Sequence, residues 1–327
     1  MTLSDSFGRT VRDLRVSITD RCNFRCTYCM PAEGMVWQDR SELLTFAEIT
    51  RLVGLFTSRL GVAGVRVTGG EPTVRAHLPV LIRQLSELDA RPELAMTTNG
   101  ATLRLVAEDL REAGLDRINI SCDSLRPQRF AQITGRDALP AVLDGIDAAV
   151  AAGFAPVKIN CVLMRGINDD EIVDFARFGR DRGVSVRFIE FMPLDADGRW
   201  LPGSVVPSAE VLERVAATFP IQAVAHGPEP ASRFRYTDGG GEVGVIASVT
   251  QPFCESCDRV RLTADGQFRT CLFALDETDL RAILRSGGSD DDLEVAIRGA
   301  VGAKWAGHQI GRVTFVRPPR SMSQIGG

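Results

Sequence analysis

The sequence predicts an α/β fold, namely a partial (β/α)6 barrel of the TIM type followed by a smaller C-terminal α+β extension. Between residues 14 and 192, short segments rich in valine and isoleucine alternate with segments of helical periodicity. Six such βα units in series imply a parallel sheet with helices outside. Six units are too few to close an eight-stranded barrel, so we expect a barrel that is open on one side. The preference for it over a doubly wound sheet rests partly on the resemblance described below.

Each of the six strands is predicted because it is short and apolar, as is typical of strands that are buried on both faces. They occupy residues 14–18, 65–68, 94–97, 117–121, 157–163 and 184–191. The first helix begins at a capping-box sequence, Thr45-Phe46-Ala47-Glu48, and each predicted helix is followed by a glycine. The helices are predicted at about residues 46–60, 103–113, 139–152 and 169–182.

The sequence pattern changes after residue 195, so we expect two parts, residues 1–195 and residues 196–327. In the second part, glycine-rich turns separate β-rich segments, which predicts two hairpins, and helical periodicity returns twice. The predicted hairpins, helices and tail lie at residues 234–249, 260–273, 209–218, 292–305 and 307–327.

The composition is that of an ordinary globular protein, with 44% hydrophobic and 24% charged residues among 327. A net charge of -4 argues against a general affinity for nucleic acid. No segment approaches the roughly 20 apolar residues of a membrane span, and the first ten residues lack a signal-peptide core. We therefore expect a cytoplasmic protein. Of its 38 basic residues only Lys158 and Lys304 are lysine, which makes each of them a candidate for a specific role.

Three cysteines, Cys22, Cys26 and Cys29, follow the first predicted strand in a C-x3-C-x2-C spacing. In a reducing compartment, clustered cysteines are more often metal ligands than disulfides. A loop this short brings three thiolates to a common centre, and thiolates are the usual ligands of iron–sulfur clusters. Three ligands on a four-iron cluster leave one iron open. A structural zinc site is the alternative, although zinc normally takes four protein ligands.

A second trio, Cys254, Cys257 and Cys271, lies between and within the two C-terminal hairpins. It again offers three ligands, so we expect a second four-iron cluster, with zinc as the alternative. The remaining cysteines, Cys122 and Cys161, fall in predicted strands, where a buried cysteine behaves as a small apolar residue.

Two arginines, Arg259 and Arg261, come just after Cys257 of the second trio. In a strand they point to the same face, where two guanidinium groups repel each other unless an anion lies between them. Arginine matches phosphate oxygens with paired hydrogen bonds. A phosphorylated substrate is therefore predicted, and a solvated exposed face is the alternative.

Polar residues recur at or near the carboxyl ends of the predicted strands, the usual active-site face of an α/β barrel. Gly69-Gly70-Glu71-Pro72 follows the second strand, and Ser121 and Asp123 end the fourth. Further polar residues on strands three, five and six are Thr97, Thr98, Asn99, Lys158, Asn160, Arg187 and Glu190. A satisfied polar group in the core is the alternative for any one of them, but their convergence predicts a site.

The first trio, with Tyr28 before its last cysteine, closely resembles the cluster motif of the radical S-adenosylmethionine (SAM) superfamily, and Gly69-Gly70-Glu71 resembles its GGE motif. The resemblance implies that the open iron binds the amino and carboxylate groups of SAM. Reduction of the cluster then yields methionine and a 5′-deoxyadenosyl radical. The residues that the resemblance assigns to SAM are Tyr28, Gly70, Glu71, Ser121, Asp123 and Met192.

Longer segments resemble the GTP 3′,8-cyclase (MoaA) family, which opens molybdenum-cofactor (molybdopterin) biosynthesis. They are residues 14–26, 68–72, 188–193 and 253–262, with a terminal Gly326-Gly327. The resemblance implies a lyase in which the radical takes the C3′ hydrogen of GTP and C3′ joins guanine C8, giving (8S)-3′,8-cyclo-7,8-dihydroguanosine 5′-triphosphate. It also implies that the second cluster binds guanine and that the tail reaches the site.

The same resemblance assigns GTP contacts, and among them Lys158, Arg259 and Arg261 as catalytic residues. The full set is Arg15, Arg66, Thr97, Lys158, Arg187, Arg259, Val260 and Arg261. Asp258 and Cys122 depart from the family's usual residues, although neither change removes a ligand.

The implied cofactors are two [4Fe-4S] clusters and SAM, and the implied substrate is GTP. The implied partners are a flavodoxin-like or ferredoxin-like reductant, a downstream cyclic pyranopterin monophosphate synthase and a second copy in a homodimer. Neither nucleic acid nor a membrane is an expected partner. Two alternatives stay open: a radical SAM peptide maturase with an auxiliary cluster, and a non-enzymatic electron carrier or zinc-stabilised binding module.

Overall fold

The computed structural model describes residues 2–31, 35–195, 197–225, 227 and 229–326, so Gly327 of the Gly-Gly terminus lies outside the described residues. Its strands are β1 Asp13–Ser17, β2 Gly64–Thr68, β3 Glu93–Thr98, β4 Arg117–Ser121, β5 Lys158–Leu163, β6 Ser185–Glu190, β7 Ile221–Ala223, β8 Ser232–Tyr236, β9 Glu242–Ile246, β10 Arg259–Leu262, β11 Gln267–Arg269 and β12 Thr278–Asp279. Its helices are α1 Phe46–Ser58, α2 Leu78–Ser86, α3 Ala107–Glu112, α4 Pro127–Thr134, α5 Leu139–Ala151, α6 Ile172–Arg182, α7 Ser208–Ala216, α8 Leu280–Arg285, α9 Asp290–Gly302 and α10 Met322–Ile325.

The first six strands lie side by side in chain order and run parallel, which confirms the predicted α/β class. All the strands belong to one sheet, in the order β12-β11-β10-β1-β2-β3-β4-β5-β6-β9-β8-β7. Within the described part of the chain, β12 and β7 end this sheet and do not pair with each other. The barrel is therefore open, as the count of six βα units predicts.

The C-terminal part extends both edges of the six-stranded sheet. Strand β10 pairs in parallel with β1, so that Arg15 stands beside Arg261, and β9 pairs in parallel with β6. Antiparallel partners then continue each edge, as the two predicted hairpins require. The division of the chain near residue 195 stays a prediction, because strands of the second part join the sheet of the first.

The first helix starts as its sequence predicts. The Thr45 hydroxyl accepts a hydrogen bond from the backbone N–H of Glu48 at 3.2 Å, and the Thr45 N–H donates to the Glu48 carboxylate at 2.7 Å. Helices α2, α4, α8 and α10 are additions to the prediction. Helix α2 follows His77, which has a positive φ of 62° and provides no side-chain cap, so its start lacks the usual sequence signal.

The hydrophobic core lies between the sheet and its helices. Its largest fully buried side chains include Phe56 of α1, Phe175 of α6 and Phe188 of β6. Cys122 and Cys161 are buried in this core, as predicted for cysteines outside the trios. Among the described residues, no helix combines the length and apolar character needed to cross a membrane.

Candidate active site

A cavity of about 550 Å³ lies against the sheet, and eight neighbouring strands contribute to its lining. Each of these strands contributes at least one residue. In the sheet order β10, β1 to β6 and β9, examples are Arg261, Arg15, Arg66, Thr97, Asn119, Lys158, Arg187 and Ile246. The first cysteine trio lines the same cavity. The sheet therefore brings together residues that the sequence separates by more than two hundred positions.

The cavity extends along the strands and is not confined to their carboxyl ends. Ser121 ends β4 and Met192 follows β6, so both lie towards the carboxyl ends. Lys158, in contrast, is the first residue of β5, and Arg66 is central in β2. The prediction that Lys158 belongs to the carboxyl-end group is therefore wrong, because an inward side chain at either end of a strand can line the same cavity.

Glu190 has a structural role and is not among the residues that line the cavity. Its buried carboxylate accepts hydrogen bonds from the backbone N–H groups of Ser208 at 2.9 Å and of Val249 and Thr250 at 2.8 Å each. These bonds attach the segment after β9 to the end of β6. For Glu190, the alternative of a satisfied polar group in the core is correct.

The first cysteine trio is a group of partly buried thiols that interact with one another. Burial raises the pKa of Cys22 to about 11 and that of Cys29 to about 12, and the nearby Cys22 contributes to the second increase. Burial also raises the pKa of Cys26 well above its ordinary value, with further contributions from Asp123 and the other two thiols. Such thiols lose their protons only when a cationic centre compensates the charge, and a metal cluster does so.

The glycines of the GGE sequence let the loop after β2 approach the cysteine loop. A Cβ atom on Gly70 would stand 2.3 Å from the carbonyl oxygen of Arg21, and one on Gly69 would stand 2.6 Å from that of Thr19. The N–H of Gly70 donates to the Thr19 carbonyl at 2.7 Å. Only glycine allows this contact between backbones.

The Glu71 carboxylate is buried and already has several donors. It accepts hydrogen bonds from the Thr73 hydroxyl, the Thr98 hydroxyl and the Asn99 N–H, each at 2.6 Å. The Asn99 side chain in turn stands 3.8 Å from the Cys22 sulfur. Glu71 therefore links the ends of β2 and β3 to the cysteine loop.

A hydrogen bond joins the cysteine loop to the end of β4. The Tyr28 hydroxyl donates to the Asp123 carboxylate at 2.7 Å, and the other carboxylate oxygen accepts from the Val162 N–H at 2.8 Å. Burial raises the pKa of Asp123 to about 6, although both hydrogen bonds lower it. Tyr28, Asp123, Ser121 and Met192 all line the cavity near the first trio.

The second trio lies beside the strand that pairs with β1. Cys254 and Cys257 flank a short 3-10 turn, and Cys271 follows β11. Burial raises the pKa of Cys254, with smaller contributions from the thiols of Cys271 and Cys257. The three thiols are therefore close enough to interact, as in the first trio.

The donor sets suit clusters better than single ions. Across the described ranges, no three His, Cys, Asp or Glu side chains stand close enough together to hold one metal ion. Each trio supplies three thiols, whereas a structural zinc site normally takes four protein ligands and a four-iron cluster is held by thiolates. Three partly buried thiols in each trio fit a four-iron cluster with one open iron.

Four cations of the cavity wall, Arg15, Arg259, Arg261 and Lys158, form no ion pair with a carboxylate of the described residues. Burial lowers the pKa of Arg15 well below its ordinary value, and the neighbouring charges of Arg261, Arg66 and Arg259 lower it further. The Nε atoms of Arg15, Arg66, Arg187 and Arg259 are buried without a hydrogen-bond partner. Buried cations of this kind are stabilised by an anion between them.

Lys158 belongs to a second group of cations, on the adjacent strands β4, β5 and β6. Burial lowers its pKa to about 7, and the charges of Arg187 and Arg117 act in the same direction. Arg187 is partly balanced, because its guanidinium lies 3.2 Å from the Glu229 carboxylate. A polyanion in the cavity could therefore contact this group as well as the arginines of β1 and β10.

The C-terminal tail is seated on this cavity. Met322 is part of the lining, and the guanidinium of Arg261 donates to the carbonyls of Ile325, at 3.4 Å, and Gly326. Arg320 pairs with Asp265 at 2.9 Å, which fixes the start of this segment. In this arrangement Ile325 and Gly326 are buried.

Two protein-family models match adjacent parts of the chain. The model of the Radical SAM superfamily matches residues 16–179, and the model called Molybdenum Cofactor Synthesis C matches residues 184–310. A protein named GTP 3′,8-cyclase from Streptomyces coelicolor is 48% identical over 328 residues, which are 99% of this chain and 96% of the relative. One of the same name from Mycobacterium sp. (strain KMS) is 49% identical over 327 residues, which are 99% of this chain and 93% of the relative.

The chain belongs to the GTP 3′,8-cyclase family. The resemblance inferred from the cysteine motifs is thereby confirmed, and the chain is a radical SAM enzyme of this family. The first model spans the end of β1 and strands β2 to β5, and the second spans strands β6 to β12.

Two solved structures of other proteins have folds similar to that of this GTP 3′,8-cyclase family member. Streptococcus suis SuiB bound to S-adenosylmethionine has a TM-score of 0.63 at 12% identity, over 90% of this chain and 69% of that one. Native anSMEcpe with bound AdoMet has a TM-score of 0.56 at 14% identity, over 82% and 77% of the two chains. At these identities the similarity concerns the fold alone.

The structure of this family member also contains site residues that the sequence did not single out. Arg117, the first residue of β4, lines the cavity and pairs with Glu93, and its inward position on a predicted strand was the available signal. Phe253 lies 4.5 Å from the guanidinium of Arg259. Val260, assigned to GTP by resemblance, has its side chain in the hydrophobic core, so only its backbone is near the cavity.

Proposed function

We propose that this chain is a GTP 3′,8-cyclase, a radical SAM lyase that performs the first step of molybdenum-cofactor biosynthesis. One observation carries the proposal: a single cavity is lined both by the three thiols of the first trio and by cations that form no ion pair with a carboxylate of the described residues. The thiols suit a cluster that binds SAM, and the cations suit a nucleoside triphosphate. Full-length relatives of that name, at 48% and 49% identity, support it.

We propose that Cys22, Cys26 and Cys29 hold the first [4Fe-4S] cluster. SAM would lie beside it, against the residues at the carboxyl ends of β2, β4 and β6. These are Tyr28, Gly70, Glu71, Ser121, Asp123 and Met192. When bound, the cluster and SAM supply a 5′-deoxyadenosyl radical on reduction. Glu71 keeps the β2 and β3 ends together, and the Tyr28–Asp123 hydrogen bond fixes the loop that carries the thiols.

GTP would lie in the basic part of the cavity, with its triphosphate between the two groups of cations. The proposed contacts are Arg15, Arg66, Thr97, Lys158, Arg187, Arg259, Arg261 and the backbone at Val260. GTP loses its C3′ hydrogen atom, the C3′–C8 bond forms, and one electron and one proton are added, the proton at guanine N7. The product is then isomeric with GTP. The cations fix the ribose relative to the radical source and balance the phosphate charge.

We propose that Cys254, Cys257 and Cys271 hold a second [4Fe-4S] cluster whose open iron takes the guanine base. Strand β10 joins this trio to the arginines, because Arg259 comes two residues after Cys257. The base and the triphosphate of one GTP would therefore be held by the cysteine loop and by strand β10, which follows its second cysteine. We place Lys158, Arg259 and Arg261 in the catalytic group because each would contact the proposed substrate.

The remaining partners are proposed from the family alone. They are a flavodoxin-like or ferredoxin-like reductant that supplies the electrons, a downstream cyclic pyranopterin monophosphate synthase and a second copy of this chain. A cytoplasmic location would suit oxygen-sensitive clusters and a reducing partner.

The test is an anaerobic turnover assay. The purified protein is reconstituted with iron and sulfide, reduced with dithionite and given SAM with or without GTP, and 5′-deoxyadenosine and GTP isomers are quantified. The proposal predicts deoxyadenosine formation that rises with GTP and a product of the same mass as GTP. Deoxyadenosine that forms slowly and ignores GTP would instead favour a radical SAM maturase of peptides. No deoxyadenosine from protein that holds iron and sulfide would refute the proposal altogether.

A further inference from the structure

Lys304, one of the two lysines of the chain, is a buried cation beside the second cysteine trio. It follows α9 and is only 4% exposed. Its ammonium donates to the carbonyls of Cys257 at 3.2 Å and Arg259 at 3.0 Å, and its Nζ stands 3.9 Å from the Cys257 sulfur. Lys304 is not among the described residues that line the cavity, so it has no place in the proposed GTP site.

No carboxylate of the described residues lies within 4.0 Å of this ammonium, although Asp258 is the neighbour of Cys257 in the chain. A buried ammonium without a counter-ion is costly unless another negative group balances it. The sulfur of Cys257 is the nearest group that becomes negative when it binds metal.

Arg9 is a second cation that contacts the loop of this trio. Its guanidinium donates to the carbonyls of Cys254 at 2.7 Å and of Trp305 at 2.5 Å, and it pairs with Asp5 at 2.5 Å. The charge of Arg9 is thus neutralised locally, and its contacts with the Cys254 loop are to the backbone. Lys304 differs because its charge is free to act on a sulfur.

We infer that Lys304 is a positioning residue for the second cluster, where its ammonium holds the Cys257 thiolate and its positive charge raises the cluster's reduction potential. The inference rests on the proposed function, because it requires the second cluster. Net charge and hydrogen bonds to the sulfurs are the features by which proteins set the potential of such clusters.

The test uses full-length protein in which Cys22, Cys26 and Cys29 are replaced by alanine, so that only the second cluster contributes to the spectrum. Iron and sulfide are measured after anaerobic reconstitution, and a redox titration is followed by electron paramagnetic resonance. In Lys304→Met, the ratio of reduced to oxidised cluster at a fixed potential should fall about tenfold, a shift of about 59 mV for one electron. Lys304→Arg, which keeps the charge, should stay close to the parent.

Two further comparisons separate the charge of Lys304 from its role in holding the cluster. Lys304→Gln keeps a hydrogen-bond donor without the charge and should shift like Lys304→Met, and a parent-like potential in it would refute the role of the charge. Loss of the cluster in Lys304→Met but not in Lys304→Arg, with both folded by circular dichroism, would support the holding role. Equal loss in both would show that the charge is irrelevant and overturn the inference. Absence of iron and sulfide from the parent would refute the second cluster itself.

Discussion

Several cationic side chains of the cavity wall have no carboxylate partner among the described residues. Burial lowers the pKa of Lys158 to about 7, so that in the empty cavity much of this residue is neutral above neutral pH. A bound triphosphate favours the ammonium form, because an opposite charge nearby stabilises it. We therefore expect the binding of GTP to be coupled to the uptake of a proton.

The first prediction follows from this coupling. The affinity of wild-type protein for GTP should fall as the pH rises from 7 to 8.5, by up to about tenfold per pH unit. Calorimetry in buffers with different enthalpies of ionisation should detect proton uptake on binding. Lys158→Met should bind GTP more weakly and lose this part of the pH dependence, while the titration of GTP itself stays common to both proteins. Equal proton uptake by the two proteins would contradict the prediction.

Arg15 gives a second prediction, in which stability and binding change in opposite directions. Its guanidinium is buried among other cations and its Nε has no partner. Arg15→Met should raise the melting temperature of the empty protein and weaken GTP binding at least about tenfold, which is about 1.4 kcal/mol. Thermal unfolding and calorimetry measure the two effects. Arg104→Met, at an exposed position, is the control and should change neither. Lower stability with unchanged GTP affinity would show that Arg15 serves the fold.

At the scale of elements, the loop after β2 depends on the close contact between its glycines and the cysteine loop. A methyl group at position 70 would overlap the Arg21 carbonyl, so Gly70→Ala must displace one of the two loops. We expect a loss of about 1–3 kcal/mol in stability, with less iron bound at the first trio. Gly299→Ala, in α9, has no atom within 4 Å of the added methyl group and should be neutral or stabilising. Equal iron content in both variants would contradict this reading of the loop.

The elements also show what the sequence could and could not predict. The six parallel strands were predictable because each is a short apolar segment, and because four of the five connections between them carry a predicted helix that ends at a glycine. Both cysteine trios were predictable from spacing alone. The pairing of β10 with β1 was not, because a contact between strands so far apart in the chain leaves no local pattern. The position of Lys158 along its strand was missed for a related reason. The alternation of side chains along a strand identifies which residues face inward, but not how far along the cavity each residue lies.

For the molecule as a whole, the C-terminal strands protect both edges of the six-stranded sheet. A chain ending at residue 195 would expose the open edges of β1 and β6, which are templates for aggregation. We expect residues 1–195 expressed alone to be aggregated in size-exclusion chromatography, whereas the full chain is not. A monodisperse fragment that binds iron would show that the first part folds independently.

The tail tests the connection between the two ends of the molecule. Arg261 contacts the carbonyls of Ile325 and Gly326 while it lines the proposed GTP site. Deleting Gly326 and Gly327 should therefore abolish formation of the GTP isomer and leave the iron and sulfide content unchanged. Turnover at the wild-type rate by the truncated protein would refute a role for the tail in the reaction.

The parallel pairing of β1 with β10 also has a consequence during protein synthesis. Strand β1, which leads into the first cysteine loop, has β2 on one side and β10 on the other. On the ribosome, its second neighbour does not exist until residues 259–262 have emerged. The first strand of the barrel therefore gains its second neighbour only when one of the last strands forms. A nascent chain cannot enclose the cavity before Cys254 and Cys257 have been translated.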